Sequence, residues 1–161
     1  MNLSSYEQRR GPRMTRRVLR GFNAQAFAAA RRQKDISVSD LSRLADVSQA
    51  AIFNWEAGKS TPSVDLLARV MRILESPIEH VVTIPAGERY PGDWRVIKGL
   101  TQPELAASAK IATTTLRGIE RADIGLSDAN AANLASLLGI NVEEYRAAYQ
   151  RARQRPAGTS A

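Results

Sequence analysis

Two stretches of this chain lie on one another without a gap. The first is "ISVSDLSRLADVSQAAIFNWEAGKSTPSVDLLARVMRIL" and the second is "LTQPELAASAKIATTTLRGIERADIGLSDANAANLASLL". Leu41 pairs with Leu105, Ala45 with Ala109, Val47 with Ile111, Ile52 with Leu116, Glu56 with Glu120 and Leu74 with Leu138. All stand at one offset of 64 residues (56 to 120). An offset kept through turns as well as apolar faces is the mark of a duplicated unit. The expected fold is all-α, with two tandem bundles of about five short helices each. Residues 21–82 form the first and 94–153 the second. "TIPAGERYPGD" between them, residues 83–93, is punctuated by Pro and Gly and reads as a linker. Residues 1–20 read as a basic arm and 154–161 as a disordered tail.

Within the first unit, helical spacing of Phe22, Ala26, Phe27 and Ala30 predicts a helix over 22–33. Ser37 and Asp40 form a capping-box pattern ahead of a second helix, 38–45, which buries Leu41 and either Leu44 or Ala45. Asp46 falls where the chain must turn, a place that tolerates a left-handed residue. Val47 plugs the gap between helices. Ser48 caps a third helix, 49–57, and Gly58 ends it. A fourth helix buries Val64, Leu67, Ala68, Met71 and Leu74, and a short fifth spans 77–82. In the second unit Thr101 and Glu104 repeat the capping box. Leu105, Ile111, Leu116 and Ile119 are core, and Ser127 caps a helix that turns Ala131, Leu134, Ala135 and Leu138 inward. Tyr90 and Trp94 read as core aromatics.

Two helices joined by a tight turn form a helix-turn-helix. Ile52 and Trp55 hold the third helix to the core, which leaves Gln49, Ala50, Phe53 and Asn54 outward. Such a face suits a major groove. Gln and Asn pair bidentately with adenine, while Ala and Phe contact a thymine methyl. Thr113, Thr114 and Arg117 take the outward positions of the second unit. Arg117 suits either guanine or phosphate. Lys59, Ser60 and Thr61, just after the third helix, are placed to touch phosphate, as are the amides at helix N-termini behind Ser37 and Thr101.

Composition narrows the alternatives. Lys and Arg total 23 against 16 Asp and Glu, a formal charge of +7, with a pI near 10.4. That balance favours a polyanionic partner. Arg9, Arg10, Arg13, Arg16, Arg17 and Arg20 crowd the start, in "EQRRGPRMTRRVLRG", and suit either a backbone or minor-groove contact, through residues such as Arg16 and Arg17, or a solubilising tail. This stretch has no apolar signal core, which points to a cytoplasmic protein. No run approaches a membrane span. Cysteine is absent and His80 is the one histidine, so neither disulfides nor a thiolate or His-cluster metal site is expected. No cofactor motif and no nucleophile–base constellation is visible, so the chain is not expected to be an enzyme. Glu56 and Glu120 share one position in the repeat and read as braces for helix ends.

Leu41, Val47, Ser48, Ile52, Glu56, Gly58, Lys59 and Pro62 in the first unit, with Leu100, Thr101, Gln102, Leu105, Ala106, Ile119 and Glu120 in the second, resemble the Cro/XRE family of helix-turn-helix regulators, which includes lambda-type phage repressors. The resemblance implies a lambda-repressor-like fold, a double-stranded DNA partner and a bacterial or phage-type, nucleoid-associated regulator. It also gives Gln102 the role of gripping phosphate at the start of the second helix; Val38 stands there in the first unit. The function expected is sequence-specific transcriptional regulation, as a repressor. An eleven-residue linker spans at most ~36–40 Å, and neighbouring half-sites lie about 34–36 Å apart. One chain therefore suits a pseudo-dimer on an asymmetric site, with a homodimer as the alternative. No ligand-sensing unit is visible, so small-molecule control is not expected. Two rivals are a protein-interaction module, such as an antiactivator or antitoxin working through one helix-turn-helix, and a non-specific DNA architectural or replication accessory protein.

Overall fold

The computed structural model describes residues 18–161. Nine α-helices and two 3-10 turns make up its regular structure, with no strand among the described residues. In chain order they are α1 (Ala24–Gln33), α2 (Val38–Ala45), α3 (Gln49–Glu56), α4 (Val64–Leu74), 3-10 turns at Ile78–His80 and Ala86–Glu88, α5 (Pro91–Ile97), α6 (Gln102–Ala109), α7 (Thr113–Glu120), α8 (Asp128–Leu138) and α9 (Val142–Arg153). The all-α expectation holds.

Caps set most helix starts. The side-chain oxygens of Asn23, Ser37 and Ser48 accept from the N–H of Ala26, Asp40 and Ala51. Thr101, Ser127 and Asn141 do the same for Glu104, Asn130 and Glu144. Each satisfies one of the orphan donors of a first turn. Helices α2 and α6 both end on a left-handed residue, Asp46 at φ 54° and Lys110 at φ 58°. These let the chain turn into α3 and α7.

Two apolar clusters form. Phe27, Leu41, Ile52, Trp55, Leu67, Val70, Met71 and Leu74 lie in the first. Leu105, Leu116, Ile119, Leu134, Leu138, Tyr145 and Tyr149 lie in the second. Burying a large apolar side chain stabilises by roughly 1.5–3 kcal/mol, so each cluster supports its own helices. The bounds of α2, α3 and α4 recur in α6, α7 and α8 at the 64-residue offset (38 to 102, 49 to 113, 64 to 128).

Several boundaries differ from the sequence reading. Helix α1 starts at Ala24 rather than Phe22, because Asn23 caps it and Phe22 forms an isolated bridge with Val82. Ala45 is buried and Leu44 is exposed. The element expected at 77–82 is one 3-10 turn, whereas its counterpart at the 64-residue offset (78 to 142) opens the twelve-residue α9.

The connector departs most. Residues 83–93, expected as a spanning linker, are pinned by distant side chains. The Arg89 guanidinium donates to the Ile84 carbonyl at 2.9 Å and lies over the Trp94 ring at 4.4 Å. Arg151 donates to the Arg89 carbonyl at 2.6 Å. Arg20 pairs with Asp93 and lies over the Tyr90 ring at 4.2 Å. Helix α5 then joins the two clusters: Val96 belongs to the first and Trp94 to the second. The tail expected to be disordered turns at 156–159, with Arg155 donating to the carbonyls of Arg121 and Thr159.

Candidate nucleic-acid interface

Helix α3 is amphipathic in an unusual way: one side is core and the other is uncharged. Ile52 and Trp55 are buried, and Trp55 meets Phe27 edge-on with ring centroids 6.0 Å apart. That anchoring leaves Ser48, Gln49, Ala50, Phe53 and Asn54 exposed on one surface. Phe53 is 55% exposed. The turn before α3 is locked by Ser42, whose hydroxyl donates to the Val47 carbonyl at 2.5 Å. Beyond α3, the N–H groups of Lys59 and Ser60 donate to the Asn54 carbonyl at 2.9 and 3.4 Å. This folds the loop beside the helix with Lys59 exposed and Ser60 half-buried. The Leu19 N–H donates to the Thr61 hydroxyl at 2.7 Å, so the chain enters the fold next to that loop. Arg16 and Arg17 lie outside the described residues.

Around α7, Thr114 and Arg117 are exposed and Thr113 is half-buried. The Gln102 side-chain N–H donates to Glu120 at 2.8 Å, so this amide is engaged with an ion pair beneath the surface.

That ion pair was not part of the sequence reading beyond its glutamate. Arg95 holds Glu120 through two contacts of 2.6 and 3.1 Å and donates to the Leu100 carbonyl at 2.8 Å. Arg31 holds Glu56 in the same fork, its second contact at 3.2 Å, and donates to the Ile36 carbonyl at 3.0 Å. Both arginines stand at the 64-residue offset (31 to 95), a signal present in the sequence. Each fork ties the end of the third helix of its unit to the first, and so sets the angle at which the outward face is presented. The glutamates brace helix ends, as their shared position implied.

Two further residues escaped the sequence reading. The N–H groups of Asp123 and Ile124 donate to the Gly118 carbonyl at 2.9 and 3.4 Å, the same loop as at Asn54. Here Ile124, 42% exposed, lies over Gly118, and a Cβ at 118 would stand 3.0 Å from its Cγ1.

Among the described residues no cluster of His, Cys, Asp or Glu has the makings of a metal site, and no helix is long and apolar enough to cross a membrane.

Residues 27–81 match a helix-turn-helix family model. No curated protein and no solved structure matches the chain. The matched segment runs from Phe27 in α1 through α2, α3 and α4 to the first 3-10 turn, so it contains the whole exposed face of α3. That segment, 55 of the 161 residues (27 to 81), is similar to helix-turn-helix domains.

Proposed function

We propose that this protein is a sequence-specific, double-stranded-DNA-binding transcriptional regulator that acts as a repressor, with α3 as its base-reading helix. The observation that carries this is the surface formed by Gln49, Ala50, Phe53 and Asn54, held outward by buried Ile52 and Trp55 inside the matched helix-turn-helix. Amides reach adenine edges, and Ala50 and Phe53 meet thymine methyls. Ser48, Lys59 and Ser60 flank the face and meet the backbone, which positions the helix without reading sequence. Arg16 and Arg17 extend that contact from the arm.

We infer also that residues 94–153 are a second copy of the unit at 21–82, with 1–20 as arm, 83–93 as connector and 154–161 as tail. The common helix bounds, left-handed turns and arginine–glutamate forks support this. In that copy Thr113, Thr114 and Arg117 face the duplex, and Gln102 serves through Glu120. Two different outward faces on one chain make the preferred site asymmetric.

Selection of bound sites from random duplexes tests the reading. The expected result is an enriched asymmetric sequence, whose preference disappears in Gln49→Ala plus Asn54→Ala. Selection without enrichment defeats it. One observation favours a second reading, docking of a protein on α3: residues 21–82 carry as many acids as bases, and Phe53 is exposed. Affinity for DNA that is independent of salt would support that reading, since phosphate contact releases counterions and makes binding salt-dependent.

A further inference from the structure

Charge is spread unevenly over this fold. Residues 21–82 hold seven Lys or Arg and seven Asp or Glu, whereas 94–153 hold eight and six. The difference at the outer surface falls at matched places. The left-handed residue that leads into the third helix is Asp46 in the first unit and Lys110 in the second. The outward residue in the middle of that helix is Phe53 in the first and Arg117 in the second. All four are exposed. Neither Lys110 nor Arg117 pairs with a carboxylate among the described residues. Arg121, one turn beyond Arg117 on the same stripe, lies 3.3 Å from exposed Asp123.

A base-reading amide and a backbone-contacting hydroxyl are lost where charge is gained. Gly118 stands in place of Asn54, and Ile124 in place of Ser60, in loops closed by the same pair of backbone hydrogen bonds. An amide and a hydroxyl become a glycine beneath an isoleucine. Neither side chain donates to or accepts from a base edge, so the Asn54 amide that reads bases in the first unit has no equivalent in the second.

We infer that the two units divide the recognition of DNA: the unit at 94–153 grips backbone phosphate through Lys110 and Arg117, irrespective of sequence, and the unit at 21–82 supplies the base preference. This rests on the DNA-binding reading above. The physical ground is that phosphate neutralisation releases counterions and strengthens binding to any duplex, whereas amide and apolar groups discriminate between duplexes and add little long-range attraction. Asp46 at the entry to α3 weakens the first unit's own attraction to a polyanion, and the second unit adds to the phosphate contact that Lys59 and the arm supply.

The test uses the full chain, a duplex recovered by selection and a random-sequence duplex, with affinity followed against salt. In Lys110→Asn plus Arg117→Gln, the log–log salt slope is expected to shallow by about 2. Affinity for both duplexes falls by one common factor, so their ratio stays as in the wild type. Asn is chosen at 110 because it tolerates the left-handed backbone there, and an unchanged thermal melt certifies the fold. Gln49→Ala plus Asn54→Ala is expected to do the reverse, collapsing the ratio with the slope intact.

An unchanged slope in the Lys110, Arg117 variant overturns the division. So does a collapse of the ratio in that variant, which makes Arg117 a guanine reader. Failure of the wild type to bind either duplex at low salt removes the DNA-binding reading itself, a result distinct from a wild type that binds with a slope indifferent to these two cations.

Discussion

The two helical halves of this chain brace their third helices with the same fork, yet surround it differently. Arg95 and Glu120 have side chains 10% and 5% exposed, and Gln102 adds a third donor to the carboxylate. Arg31 and Glu56 are 15% and 13% exposed, and Val38 occupies the position of Gln102, buried in the first apolar cluster. One half thus seats its carboxylate in a closed polar network. The other leaves it nearer to water and uses the freed position for apolar packing. A buried charge without its partner is far more costly than a paired one. The same fork therefore has different consequences for stability in the two halves.

The sharpest way to break this comparison is to remove each glutamate in turn. Glu120→Ala strands Arg95 in the interior and is expected to cost about 3–5 kcal/mol. Glu56→Ala lets water reach Arg31 and is expected to cost about 1–3 kcal/mol. Denaturant unfolding of both variants measures the gap, and equal losses would show that the difference in burial is energetically idle. Gln102→Val, which gives the second half the side chain of the first, removes one hydrogen bond to a charged acceptor. It is expected to cost about 1.5–3 kcal/mol by the same measurement.

Much of this was legible locally. The bounds of α2 follow from Ser37 and Asp46, because a cap and a left-handed residue act within one turn of the chain. The outward face of α3 follows from the spacing of Ile52 and Trp55. What local patterns could not carry is anchoring from afar. Pro85, Gly87, Pro91 and Gly92 announce a break in helix, and they say nothing of whether Arg20 or Arg151 will pin the broken segment. Nor does helical spacing tell which core an apolar residue joins: within α5, Val96 and Trp94 serve different clusters. The cover of Gly118 by Ile124 is a contact between a loop and the helix before it, and the pattern around either residue alone is that of an ordinary exposed surface.

Transplanting charge between the halves sharpens the comparison at the outer surface. Asp46 and Lys110 adopt nearly the same left-handed backbone, so Asp46→Lys places a cation at the entry to α3 without new strain. Stability is expected to change by no more than about 0.5 kcal/mol. The log–log salt slope of DNA binding is expected to steepen by about 1. Equilibrium titration at several salt concentrations checks this, and an unaltered slope would place the N-terminal end of α3 away from the duplex.

The smallest effect expected concerns a residue without a partner in the comparison. Asp93 is buried at the start of α5, while exposed Ala29 stands 64 residues earlier (29 to 93). Burial pushes the Asp93 carboxyl above its ordinary value of 3.8, against the opposing pull of the Tyr90 N–H and the Arg20 guanidinium. A carboxyl raised in the folded state binds its proton more tightly there than in the unfolded chain. Its contribution is therefore fully present below the ordinary value and is lost as pH rises through the raised one. Asp93→Asn cannot titrate. The stability of the wild type relative to this variant is accordingly expected to fall as pH climbs from about 4, read by denaturant unfolding across a pH series. A relative stability that climbs over that window would mean that the hold of Arg20 on the ionised carboxylate outweighs desolvation, and that the connector is closed by a salt bridge worth more at neutral pH than in acid.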